Sequence, residues 1–279
     1  MKKMILIVLF MSIVGIIYAD FFLNNRKGDW QNPGITINTI GVTKIINLLD
    51  YPDANNTGLI TADNHLAVQA AIEDRELYGI TIIEFPAGEY WFNAPIDISN
   101  SNIVLSGEGS TNTILKWNQI SDNCINVSGI PGSDLNQDGG PFNEDAEPIY
   151  NVGIENMTLD FALEGTPSGY TGNIINLYFA KDCWIRGIES IKPVRHHILL
   201  RYCENITVSG SYFHGAWDVG PNGFGYGVQV MLYTRKCLIE NNIFSGLRHA
   251  MTLNDGANNN VFSYNYSRNV NCSPEYLYV

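Results

Sequence analysis

The sequence predicts an all-β solenoid, a single parallel β-helix of stacked coils with a short capping helix at its N-terminal end. Three observations predict it: a strand-and-corner unit that recurs along the chain, corners filled by Asn and Gly, and one helical stretch just before the first coil. The unit is plainest in "CLIENNIFSGLRHA" from Cys237 to Ala250, where an alternating strand meets Asn241 and Asn242 and resumes at Phe244. "ITVSGSYF" from Ile206 repeats it with Gly210 and Ser211 in the asparagine slots, and "VGIENMTL" from Val152 repeats it again. "CWIRGIES" from Cys183 and "NVFSYNYS" from Asn260 are weaker copies, and "IVLSGEGS" from Ile103 supplies the turn alone. The copies start at 103, 152, 183, 206, 237 and 260, so their spacings are 49, 31, 23, 31 and 23, a coil of about 23 residues carrying insertions.

Each element follows from local chemistry. A coil this short cannot bury its apolar side alone, whereas stacked coils enclose a continuous core between parallel strands. Side chains alternate with period two, so Ile206, Val208, Cys237 and Ile239 face inward. Asn and Gly accept the left-handed conformation that a sharp corner needs, and Asn amides on successive coils can hydrogen-bond along the solenoid. Residues 63–78, "DNHLAVQAAIEDRELY", open with an Asp or Asn cap and set Leu66, Ala70 and Leu77 roughly on one face, predicting the helix. Placed ahead of the first coil, it would cover strand edges that otherwise invite pairing between molecules.

The 279 residues and 45% hydrophobic content suffice for a large core. A formal charge of −12 argues against nucleic acid and anionic membrane surfaces as partners, since both need a basic patch. Lys2 and Lys3, the apolar run Met4 to Tyr18, and Ala19 before Asp20 read as an export signal over 1–19. A membrane anchor is the alternative, but the run is shorter than the ~20 residues of a span. A leader over 20–45 and the solenoid over 46–279 follow, in a protein expected to be secreted or at the cell surface, without membrane insertion after cleavage. The repeat still runs at Tyr264 and Asn265 with no cap-like segment before Val279, so a truncated or uncapped C-terminal end is expected. Five cysteines, Cys124, Cys183, Cys203, Cys237 and Cys272, form no C-x-x-C. Cys183 and Cys237 share one phase two rungs apart, roughly 9–10 Å at strand spacing, which exceeds disulfide reach. They are expected to be core thiols.

After the helix segment "AVQAAIED" come "FPAGEYWF" and "NIVLSGEGSTNTIL". This series resembles the N-terminal part of the pectate lyase superfamily domain, over roughly residues 40 to 279. The resemblance implies a right-handed parallel β-helix and action on polysaccharides. The acidic lead-in "DG-x-x-DD-T" of that superfamily is replaced by "NNTGLITADNH", and the Asn-Thr-Asp, Asp-Asp and Gly-His-Gly series of polygalacturonase-type hydrolases is missing.

Two features can carry chemistry. In "DLNQDGGPFNED", Asp134, Asn136 and Asp138 alternate ahead of Gly139, and Asp145 stands at the twelfth position, a pattern resembling a calcium loop. The alternative is a solvated acidic insertion. No organic cofactor is expected. The second feature is a cluster of His and Arg. Counting back from each Asn corner puts Arg195, Tyr226 and His249 in one column on successive rungs, flanked by His196 and Arg248. His214, Trp217 and Asp218 occupy the Gly-rich insertion beside it, while His197 has inward parity with Leu199 and reads as structural. Removing the proton α to a uronate carboxyl needs a base, a cation for the carboxylate and an acid for the leaving oxygen. His214, His249 or Tyr226 can exchange protons, and Arg195 or Arg248 can grip the carboxylate. Hydrolysis needs two carboxyls about 5–10 Å apart, and Asp218 with Asp255 is the evident pair. Trp217, Phe224 and Tyr226 can stack on sugar rings, although packing explains such aromatics equally well. The expected function is therefore a lyase on uronate-containing glycan such as pectin. A hydrolase and a non-catalytic glycan-binding or adhesive solenoid are the alternatives.

Overall fold

The computed structural model describes residue 34 and residues 41–118, 123–132, 145–162, 172–217, 219 and 224–269. Over these the chain winds as a right-handed parallel β-helix, as the repeat predicts. Each full coil gives one strand to each of three sheets, A, B and C. Sheet A has eight strands, from Val42–Asn47 to Val261–Ser263. Sheet B has seven, from Gly88–Phe92 to Tyr266–Arg268, and sheet C six, from Ile96–Ile98 to His249–Leu253. The opening motif is one such coil, with Leu238–Glu240 in A, Ile243–Ser245 in B and His249–Leu253 in C. Neighbouring strands pair in parallel, for example Thr207 with Leu238 and Phe213 with Phe244. Val42–Asn47 already pairs with Ile80–Phe85, so the first strand straddles the boundary expected between the leader over 20–45 and the solenoid over 46–279. The export signal and Cys272 lie outside the described residues.

Period-two alternation builds the core. Ile154, Ile185, Val208 and Ile239 stack inward from sheet A; Leu177, Leu200 and Val230 do so from sheet C. Sheet B supplies Leu115, Leu159, Phe213 and Phe244, with Ser190 between Leu159 and Phe213. That small residue makes room for His197, which is fully buried: its Nδ1 lies 2.7 Å from the Ser190 hydroxyl and its Nε2 3.2 Å from the Gly215 carbonyl. Cys124, Cys183, Cys203 and Cys237 are buried free thiols, as the shared phase of Cys183 and Cys237 predicts for those two.

The corner between sheets A and B divides its labour between two positions. The first is left-handed: Asn156, Gly187, Gly210, Asn241 and Tyr264 have φ of 58°, 61°, 60°, 54° and 53°. The second carries the ladder. Asn242, buried, accepts from the Ser211 amide at 3.0 Å and donates to the Val208 carbonyl and Asn265 Oδ1, both at 3.0 Å. A second left-handed column precedes sheet A at Asn102, Asn151, Asp182, Asn205, Lys236 and Asn259.

The helix, α1, runs over His65–Glu73, shorter than the predicted 63–78. Asp63 caps it by accepting from the His65 amide at 3.1 Å. Its buried face is Ala67, Val68, Ala71 and Ile72, whereas Leu66 and Leu77 are 67% and 73% exposed. The expected face is therefore corrected. Small alanines let the helix axis approach the first strand of sheet C, Ile96–Ile98, closer than a leucine face would.

Candidate functional site

Sheet C presents the cluster at the start of its strands. Register pairs His196 with Tyr226 and Tyr226 with His249, so the column is His196–Tyr226–His249. Arg195 sits one residue earlier, in the corner, where its carbonyl accepts from the Tyr226 amide. Counting back from the Asn corner misses by one residue here, because the turns from sheet C to sheet A differ in length. Arg201 pairs with Met231 while Glu204 bridges to Arg235, so a step from 201 to 204 matches one from 231 to 235. The longer turn holds both Leu232 and Tyr233 left-handed, at φ 51° and 59°; the shorter holds only Tyr202, at 53°.

In-register parallel strands force the three rings to stack. Centroids of His196 and Tyr226 are 5.1 Å apart with 21° between planes, and those of Tyr226 and His249 are 4.9 Å apart with 22°, close to the strand spacing. Exposure increases along the stack: His196 is buried, Tyr226 half-buried, His249 exposed. His196 Nδ1 lies 2.6 Å from Asn173 Oδ1, so Nδ1 carries the proton and donates it there, leaving Nε2 unprotonated. Burial, then the charge of Arg195, push the His196 pKa down to about 3. Burial and Arg248 lower that of His249 as well. Both imidazoles are thus neutral near pH 7, and of the two the exposed His249 is open to take a proton, whereas burial opposes charging His196. The Arg195 guanidinium lies 5.9 Å over the Phe224 ring, and Arg248 hangs from the Gly225 carbonyl through its amide at 2.8 Å. Two imidazoles and a phenol therefore stand in one column at the edge of sheet C, with Arg195 acting electrostatically on His196 and Arg248 on His249.

The other expected residues go elsewhere. His214 belongs to sheet B, where Nε2 meets Glu189 Oε1 at 2.7 Å and the ring stacks on Tyr212 at 4.3 Å. Trp217 leans to the same side, its indole N–H donating to the Phe161 carbonyl at 2.9 Å and Lys192 Nζ lying 5.3 Å from its ring centroid. Nearby Asp160 is half-buried, and desolvation raises its pKa against the opposing charges of Lys116 and Lys192. Asp255 forms the turn after sheet C, left-handed at φ 52° and exposed. Asp134, Asn136, Asp138 and Asp218 lie outside the described residues, and Asp145 is exposed. Among the described residues no group of three His, Cys, Asp or Glu side chains could hold a metal ion.

Sequence reasoning missed Asn173, Asn176 and Arg201. Asn126 Nδ2 donates to Asp97 at 2.9 Å, Asn176 Nδ2 to Asn126 at 3.3 Å, and Arg201 to Asn176 Oδ1 at 3.1 Å, a polar row across the outer face of sheet C. Its signal was the interruption of apolar strands by polar residues in "NIINLY" and "HHILLR".

No curated protein matches the chain in sequence. Among solved structures, the A-module of mannuronan C-5 epimerase AlgE6 from Azotobacter vinelandii is similar, at 18% identity and TM-score 0.60 over 80% of this chain and 56% of that one. A family 28 exopolygalacturonase from Yersinia enterocolitica superposes at 13% identity and TM-score 0.60, over 80% of this chain and 49% of that one. A tailspike protein of E. coli bacteriophage HK620, solved with a pentasaccharide, gives 18% identity and TM-score 0.58 over 80% of this chain and 39% of that one. At such identities the likeness is one of fold, and the chain spans between 39% and 56% of the length of these proteins. In sequence, the family described as rhamnogalacturonase A/epimerase, pectate lyase-like matches residues 45–273, essentially the whole solenoid. The chain belongs to that family.

Proposed function

We propose that this protein acts on polysaccharide and cleaves uronate-containing glycan by β-elimination at the edge of sheet C. The observation that supports this best is the ring column itself, in which neutral His249 stacks on Tyr226, feels the charge of Arg248, and follows a strand whose Tyr226 amide donates to the carbonyl of Arg195. The guanidiniums hold the uronate carboxylate and favour the enolate-like charge that develops on it. His249 takes the proton α to the carboxylate. The released electron pair forms the ring double bond and expels the β-glycosidic oxygen, which Tyr226 protonates. His196, covered by Tyr226, is a positioning residue that fixes the phenol through stacking. Hydrolysis needs paired carboxyls instead, and the hydrogen bond described for the stack runs to the Asn173 amide. With the export signal over 1–19, the proposed place of action is outside the cytoplasm.

The test is a glycan panel read two ways, by ultraviolet absorbance of unsaturated uronate and by reducing-sugar release. Matched signals on one uronate glycan are expected. His249→Ala should lower the rate 10²-fold or more, as loss of an acid–base group does, with the fold intact because exposed substitutions cost under about 0.5 kcal/mol. Reducing sugar without absorbance would mean hydrolysis, and binding with neither signal would mean a glycan-binding solenoid.

A further inference from the structure

Nearly all buried polar groups in a native fold have a partner, so a concentration of partnerless ones on one face marks a surface completed by something else. Among the described residues six buried side-chain atoms lack a hydrogen-bond partner, and four of them, Arg195 Nε, His196 Nε2, Arg201 Nε and Thr252 Oγ1, lie on sheet C or the corner leading into it. His196 belongs to the ring column already described, and Arg195 to the corner beside it. Arg201 belongs to neither. It ends the strand His196–Arg201, five residues from the column, about 16 Å at ~3.3 Å per residue. One sugar ring cannot touch both.

Arg201 is held from two sides. Its Nη2 donates to Asn176 Oδ1 at 3.1 Å and its guanidinium carbon sits 5.1 Å from the Tyr178 ring centroid. Among the described residues no carboxylate pairs with it, in contrast to Arg186 and Arg235, which meet Glu155 and Glu204 at 2.7 Å. A flat guanidinium fixed on an aromatic face, with donors to spare, matches a planar carboxylate. The ground between column and Arg201 suits a sugar chain. Leu199, expected to face inward with His197, instead faces outward between the core residues Ile198 and Leu200, and at 8% exposed forms an apolar floor with Asn176 and Gln229 beside it in register. Beyond Arg201 the turns hold Phe179, Tyr202 and Tyr233 left-handed, at φ 50°, 53° and 59°, and stack Tyr202 on Phe179 at 5.0 Å. Bulky residues adopt that conformation at a cost, and such strain gathers at ligand sites.

We infer that Arg201, with Asn176 and Tyr178, is a second carboxylate subsite, that the glycan lies along the strands of sheet C, and that its uronate residues recur within a span of a few sugars. This rests on the reading of the ring column as the reacting end. Calorimetry with oligouronates of two to six sugars tests it on wild type, Arg201→Ala and Arg201→Gln, with the carboxyl-reduced hexamer as control. Wild-type affinity should rise with length for the uronates and stay flat for the reduced sugar. Arg201→Ala should lower hexamer affinity tenfold or more and dimer affinity much less. Arg201→Gln, which keeps the stem on Tyr178, should repeat the loss if the alanine variant melts early. Equal affinity of wild type and both variants at every length overturns the subsite, whether or not the wild type turns over. A length-dependent loss in a protein that binds but never cleaves upholds the subsite and removes β-elimination instead.

Discussion

Burial and the guanidinium of Arg248 both oppose protonation of His249, so its imidazole stays neutral further into acid than an ordinary histidine. A base acts only when unprotonated. The rate on a uronate glycan, as kcat/KM, should therefore hold steady as pH falls through about 6.5 and drop only below it. Replacing Arg248 with Gln removes the repelling charge and should move that acid limb upward; an unmoved limb would place the titrating group elsewhere. At this scale, the residue types of the site were legible, since His249, Arg248 and Tyr226 stand out as polar or titratable at strand starts. The assignment of His196 was not, because its membership of the column depends on the length of a turn further along the chain.

Corners are the element that the sequence announces best, because left-handed backbone is a local demand that Asn and Gly meet at low cost. What Asn242 adds is not local: one side chain satisfies the amide of Ser211 on one neighbouring coil, the carbonyl of Val208, and the amide oxygen of Asn265 on the other. Asn242→Ala strands a buried N–H and a buried C=O and should cost about 1–3 kcal/mol in urea unfolding, whereas Asn241→Gly, at a position that needs only positive φ, should cost far less. The helix face was misjudged since leucines outrank alanines in hydrophobicity, while the docking surface selected for close approach. For the acidic insertion we propose calcium at Asp134, Asn136, Asp138 and Asp145. Calorimetry after chelation should show calcium binding that Asp134→Ala and Asp138→Ala together abolish, and equal binding by the double variant removes the site.

For the molecule as a whole, acid should be the weak side. His196 and His197 both have folded pKa values lowered to about 3, by burial first, against an unfolded value near 6.5. Above that unfolded value neither state binds the proton and the shift contributes nothing. As pH falls from about 6.5 towards 3, the unfolded chain takes up protons that the native one refuses, and stability is lost at up to about 1.4 kcal/mol per pH unit for each histidine. Unfolding free energy should thus decline between pH 6.5 and 4, and His197→Gln should flatten the slope; an identical slope would show that other groups govern it. The solenoid itself was legible from repeat length and alternation alone. The division of the expected cluster between sheets B and C was not, because His214 and His249 stand on either side of a corner that spacing arithmetic does not resolve.

The unequal turns from sheet C to sheet A have a consequence for descent. One coil carries an extra residue there, yet Thr207 still faces Leu238 and His196 still faces Tyr226. An insertion or deletion in these turns is absorbed where it occurs, so lineages can lengthen the walls beside a groove without shifting the rungs beyond it. From Glu155 onward the two-residue corner is constant, whereas the first coils carry longer ones, since Ser106 faces Glu155 while Ile114 faces Thr158. Homologous chains should vary in length at the turns from sheet C to sheet A and at these first corners, and hold constant at the corners with the buried amide ladder, so any alignment of them has to restart its count at every left-handed corner.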